Sequence, residues 1–185
     1  MKVVSLEPGA RRDAWLARLC AAVHGTEAGL APLVAFSGTR HLLFPDEAAR
    51  LWALVDEQDR PRALALLVMD ESGEGMALTL AASLEESREP LRRLIRDLAL
   101  NAPLRVTPGE ALDEVFLRAC GISRWVADDQ GRRVGLTLAH PALLSGQLSP
   151  PLAFDDRAVL RRFKQERAFF ETEKRAFVAG LDGDA

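Results

Sequence analysis

Two hydrophobic rhythms run through this chain, and each change of rhythm predicts an element. Residues 62–100 show it best: RALALLVM, a turn DESGEG, MALTLAA, a charged connector SLEESREP, then LRRLIRDLAL. Ala63 to Met69 are apolar at every position, which in a strand means that both faces are covered. Residues 51–56 (LWALVD) precede it across EQDRP, and residues 76–82 follow it across Ser72, Gly73 and Gly75. The three predict an antiparallel meander. After the connector the period becomes helical. Leu91, Leu94, Ile95 and Leu98 share a stripe, while Arg92, Arg93, Arg96 and Asp97 face water. Ser87 is the expected N-cap, which puts Pro90 at N3, where its missing N–H loses no intrahelical bond.

Upstream, KVVSL at residues 2–6 predicts a short strand stopped by Pro8 and Gly9. Residues 11–24 place Trp15, Leu16, Leu19, Cys20 and Val23 on one helical face, and Gly25 ends them. The segment up to residue 48 is broken by Gly29, Pro32, Gly38 and Pro45. It predicts a short helix around 28–36 and, from its apolar content, packing over the core or along a cleft. Downstream, PLRV at 103–106 is a short strand. Thr107-Pro108-Gly109-Glu110 then reads as a capping box opening a helix that buries Leu112, Val115, Phe116, Ala119 and Cys120 and stops at Gly121. Residues 122–127 and 133–139 are two strands joined by a turn at 128–131. An extended, proline-containing connector covers 140–156. A charged helix is expected over about 155–179, with Phe163, Phe170 and Phe177 every seven residues. Arg167 and Lys174 interrupt the alternate seam positions, so the helix is expected to pack on the domain or on a partner chain rather than form a coiled coil alone.

Composition narrows the function classes. A length of 185 residues suits one domain with a substantial core. A formal charge of -3 gives no global attraction to nucleic acid or an anionic membrane, so neither is expected as a partner. The N-terminus lacks the apolar core of a signal peptide, no run is long enough to span a bilayer, and the two cysteines read as buried free thiols. A cytoplasmic location is the expectation.

Candidate chemistry is sparse. His24, His41, His140, Cys20 and Cys120 show no metal spacing, and neither a nucleophile elbow nor a Walker loop occurs. His24 reads as a helix C-terminal residue, and His41 and His140 as isolated polar positions. Glu85 and Glu86, just past a strand end, are candidates for a general base, or simply favour the following helix N-terminus. Arg161, Arg162, Lys164 and Arg167 are offset by nearby acids and read as a solvated face.

The order of elements predicts an α/β (α+β) protein and resembles the Gcn5-related N-acetyltransferases. Two stretches support the resemblance: LRVTPGEALDEVFLRACGISRW, like that family's late strand–helix–strand, and LTLAASLEE, like its fourth strand running into the cofactor loop. It covers roughly residues 1–139 as an acyltransferase-like domain, a mixed, mainly antiparallel sheet flanked by helices. Residues 140–185 add the connector and a C-terminal amphipathic helix. The resemblance implies transfer of an acetyl or other acyl group from acetyl-CoA or another acyl-CoA to a small-molecule or protein amine. A backbone N–H among Leu80, Ala81 and Ala82 would polarise the carbonyl, Ser87, Arg88 and Arg92 would meet the cofactor's anionic end, and Glu85 or Glu86 would receive the proton. The family's glycine-rich diphosphate loop is replaced here by Glu85-Glu86-Ser87-Arg88-Glu89-Pro90, and its acid tyrosine by Leu117; the chain contains no tyrosine. These departures motivate a second reading, an inactive relative that binds a protein or small ligand, with a homodimer or partner docked through the C-terminal helix. A gap is expected where the strand ending near Ala82 parts from residues 103–106.

Overall fold

The computed structural model describes residues 1–25 and 27–182. Strands β1 (Lys2–Ser5), β2 (Ala49–Val55), β3 (Pro61–Met69) and β4 (Met76–Ser83) pair antiparallel in chain order. β5 (Leu104–Val106) joins β4 in parallel, and β7 (Arg133–Leu136) and β6 (Arg124–Ala127) complete a seven-stranded sheet of order β1-β2-β3-β4-β5-β7-β6. The all-apolar run of β3 is covered on both faces. Leu64, Leu66 and Val68 enter one core, and Ala63, Ala65 and Leu67 enter another.

Helices divide between those faces. On the first lie α1 (Ala10–His24), α2 (Ala31–Gly38), whose end runs into a π-helical turn (Thr39–Leu43), and the C-terminal helices α6 (Asp156–Gln165) and α7 (Arg167–Asp182). α3 (Glu89–Asn101) and α4 (Glu114–Ala119) cover the second. The expected stripe of α3 is buried at Leu91, Leu94, Ile95 and Leu98. Each is worth about 2–3 kcal/mol by area removed from water. A four-residue α5 (Ala142–Ser145) and a bridge between Asp70 and Pro151 interrupt the extended connector.

Several sequence expectations change. Val23 is 40% exposed, because the last turn of α1 runs past the sheet. Helix α3 begins at Glu89, so Arg88 is its N-cap and Pro90 sits in the first two positions; Ser87 lies one residue earlier, yet its Oγ accepts the Glu89 N–H at 3.2 Å. The Thr107 capping box does not form. Helix α4 starts six residues later, where Asp113 accepts the Phe116 N–H at 2.8 Å. A carboxylate caps the positive end of a helix better than a hydroxyl, and this start turns Phe116, Leu117 and Cys120 inward, leaving Val115 79% exposed and Ala119 outside. Gly121, at φ +94°, ends α4 as its composition predicted.

The expected single C-terminal helix is two. Glu166 leaves helical geometry (φ -117°, ψ 81°), and the chain folds back so that Phe163 meets Phe170 edge-on, ring centroids 5.4 Å apart. Phe177 meets Phe36 of α2 at the same separation. These rings pack on their own chain.

Candidate active site

The strand β4 is irregular at one residue. Leu67 pairs with Leu78 and Leu66 with Leu80, so Thr79 has no opposite number on β3 and forms a bulge, its hydroxyl donating to the Leu66 carbonyl at 3.3 Å. Pairing with β5 ends at the same level. Met76, Ala77 and Leu78 face Leu104, Arg105 and Val106, after which β5 stops while β4 continues to Ser83. Beyond Leu78, no strand among the described residues lies on that side of β4. The side chains of Leu80 and Ala82 turn to the α1/α2 core and that of Ala81 to the α3 core. Leu80 and Ala82 stand opposite Leu66 and Leu64, in step with the Leu84 N–H that bonds the Arg62 carbonyl, so their backbone groups pair with β3. Toward the gap the backbone N–H and carbonyl on offer are those of Ala81, which an extended ligand could meet as a strand would.

The connector that follows satisfies much of its own polarity. Ser83 donates to the Ser87 carbonyl at 2.6 Å, the Ser87 Oγ takes the Glu89 N–H, and Pro90 has none to offer. Glu85 is paired with Arg62, which also donates to Asp56 at 2.7 Å. Asp56 accepts the backbone N–H groups of Arg60 and Gln58 and the guanidinium groups of Arg62 and Arg60, and these contacts hold it well below the usual carboxylate range. Glu86 is exposed. Arg88 crosses the mouth of the gap. It donates to the Ala111 carbonyl, lies 4.2 Å above the Phe116 ring and approaches Asp113 at 4.0 Å. Arg92 pairs with Glu89 at 3.3 Å.

This geometry separates the two ends of an acyl-coenzyme A. The open edge of β4 fits an extended thioester arm. The start of α3 does not fit a diphosphate held by backbone, because one N–H is already taken, one is absent, and no glycine lets the chain approach the anion. Where the resembled family places a tyrosine, Leu117 is fully buried. Cys120, nearby, is a buried thiol whose ionisation burial pushes up to about 11, against the pull of Arg92, Arg88 and Arg96.

The histidines divide. His24 lies in the last turn of α1. Nε2 of His41 sits 2.9 Å from Glu173, a carboxylate of α7 that also accepts from Arg40 at 3.1 and 3.2 Å, and so joins helices rather than facing the gap. His140 is buried beside Asp70 and Arg105 at the far end of β4. No group of three or more His, Cys, Asp or Glu is placed to hold a metal ion among the described residues, and no helix among them is long and apolar enough to cross a membrane. Sequence reasoning missed Thr79, Asp56 and Arg62. A bulge leaves no mark in an apolar run, and an ion pair between residues 62 and 85 is set by strand register alone.

The sheet order, the helices on both faces, the bulged fourth strand and its parting from the fifth define the fold of the Gcn5-related N-acetyltransferases. A probable acetyltransferase of known crystal structure matches 84% of this chain and all of its own at a TM-score of 0.50 and 13% identity. An acetyltransferase of that family from Staphylococcus aureus Mu50 matches 73% of this chain and 96% of its own (TM-score 0.49, 7% identity). A spermidine N-acetyltransferase chimera derived from the Vibrio cholerae enzyme matches 73% and 92% (TM-score 0.47, 16% identity). At these identities the likeness is one of fold. No protein-family model matches the sequence, and no curated protein matches it significantly.

Proposed function

We infer that the protein transfers an acetyl or other acyl group from a thioester to an amine, with the thioester arm laid along β4 beyond Thr79. One observation carries this reading: the bulge at Thr79 coincides with the end of β4–β5 pairing, so the backbone groups of Ala81 border an open gap. An acyl-coenzyme A, when bound, supplies the activated acyl group. The chain's own work is positioning, with the Ala81 backbone N–H directed at the carbonyl oxygen and Glu86, or Glu85 once freed from Arg62, taking the amine proton. Ser87 and Arg92 are the connector side chains that would meet an anionic end, and Arg88 would have to leave Ala111 to join them.

Calorimetric titration with acetyl-CoA and longer acyl-CoAs tests the reading. Saturable heat with at least one thioester, together with amine-dependent thiol release that falls at least tenfold in Glu86→Gln, is the expected result. The absence of heat with every thioester overturns it.

A second reading is favoured by Arg88. Its place across the gap, on Ala111 and Phe116, together with the self-satisfied connector, suits a scaffold that has kept the fold and binds a protein or a different small ligand. That reading expects no thioester heat in the wild type or in Arg88→Ala.

A further inference from the structure

A second recess opens beside the connector. It lies between α1, the turn joining β2 to β3 and the first residues after β4, with a volume of about 600 Å³. Arg11 and Arg18 reach it from α1, and Arg60 and Arg62 from the turn and the start of β3; Leu84 and Glu85 close the connector side. Four guanidinium groups thus converge on one cleft in a chain whose net charge is negative.

Three of the four are held in place. Arg60 and Arg62 both donate to Asp56, at 3.0 and 2.7 Å, and Arg62 also pairs with Glu85. Arg11 donates to the Asp59 carbonyl at 2.8 Å and stacks 4.3 Å above the Trp15 ring. The Asp59 carboxylate is itself occupied by Lys2 at 2.9 Å. Arg18 is different. It is half-buried against the cleft and makes no hydrogen bond or ion pair among the described residues. Counting the lining groups and their direct partners, five cations meet three carboxylates, and each carboxylate already has a cation. Arg18 thus adds a positive charge to the cleft with no carboxylate set against it. An anion with several oxygens would balance it, because guanidinium donors sit in a rigid fork that matches phosphate oxygens.

We propose that this cleft binds a phosphate-bearing ligand, with Arg18 and Arg11 as its principal anchors and Arg62 as a fixed third donor. The site is distinct from the start of α3, where the chain offers an anion few backbone groups, and it stands whether or not the gap beside β4 carries a thioester. The phosphate could belong to a free diphosphate or nucleotide, or to the anionic end of an acyl carrier.

Titration calorimetry and thermal unfolding of the full chain, with inorganic pyrophosphate, ADP and acetyl-CoA at constant ionic strength, test the site and separate these sources. Pyrophosphate is expected to bind and to raise the unfolding midpoint. Arg18→Gln and Arg11→Gln should each weaken it about tenfold, as expected for loss of a charge-assisted contact. Arg161→Gln, on the exposed face of α6, should leave binding unchanged and shows that the effect is not one of net charge. Competition between acetyl-CoA and pyrophosphate, with both weakened by Arg18→Gln, assigns the cleft to a carrier's anionic end. Binding of pyrophosphate through Arg18 without binding of acetyl-CoA or of any longer acyl-CoA upholds the cleft and overturns the acyl-transfer reading. No heat from any probe overturns the proposal. So does binding that Arg92→Gln weakens while Arg18→Gln and Arg11→Gln do not, and in that case acyl transfer at the connector stands.

Discussion

Burial acts on single ionisable groups in ways that a reagent can read. It pushes the Cys20 thiol up to about 12 and the Cys120 thiol up to about 11. Since the thiolate is the reactive form, neither cysteine should react with a thiol reagent at pH 8 in the folded protein, and both should react once urea unfolds it. Stoichiometric labelling of native Cys120 would show that the thiol is reachable from solvent in the fold and overturn the prediction. Glu173 presents the opposite case, a carboxylate only 2% exposed that is kept by its partners Arg40 and His41. Glu173→Ala leaves Arg40 with Asp13, at 2.9 Å, as its remaining carboxylate partner and should cost about 2 kcal/mol in urea denaturation through the charged hydrogen bonds lost. A loss below about 1 kcal/mol would mean that solvent replaces the pair freely.

Elements here are held by close approach as much as by apolar area. Helix α7 crosses α1 at Gly180, where an added Cβ would stand 2.9 Å from both the Ala14 Cα and the Ala17 Cβ. One of these atoms belongs to backbone and cannot turn aside. Gly180→Val should therefore lift α7 from α1 and destabilise the protein by about 2 kcal/mol. Hydrogen exchange is the discriminating measurement: amides of α7 and the π-helical turn should lose protection while those of β2 and β3 keep theirs. Equal loss everywhere would show that the helix and the sheet unfold as one unit. The break at Glu166 belongs to this scale too. A heptad of phenylalanines predicts a straight helix, but folding back lets Phe163 and Phe170 bury against each other and against α2.

At the scale of the whole molecule, the ends of the sheet differ in charge and so in their response to pH. Near the far end of β4, His140 is held below its ordinary value, first by burial, with Arg105 adding to it and Asp70 opposing it. A histidine kept neutral in the fold but free to charge when unfolded stabilises the fold above its unfolded value of about 6.5. That stability is lost as pH falls below it. His140→Asn, which can still accept the Ala142 N–H now bonded to Nδ1, should lose less stability than the wild type between pH 6.5 and 5. Parallel pH profiles of the unfolding midpoint would refute the assignment. At lower pH a second loss is expected below about 3.8, when Asp56, depressed by its hydrogen bonds to Arg60, Arg62 and Gln58, must be protonated. Both effects belong to contacts between distant parts of the chain.

The alternation of apolar and polar residues by itself determined the meander, the two-faced burial of β3, the stripe of α3 and the stop at Gly121, because strand and helix periods and a glycine's positive φ are local properties. The resemblance to an acyltransferase fold rested on the order of those elements, and the chain has that order. Tertiary structure decided the rest. The start of α4 depended on which side chains could turn inward, and the break at Glu166 on which rings could meet. The bulge at Thr79 depended on register with β3, and the pairing of Glu85 with Arg62 on two strands lying side by side. The arginine cleft was the least legible, since its members stand at residues 11, 18, 60 and 62 and converge only when α1 lies across the end of the sheet. Electrostatic fields follow distance in space: Arg11 and Arg18 share a helix face and Arg60 and Arg62 one side of the chain entering β3, but nothing along the chain announces that the two pairs meet.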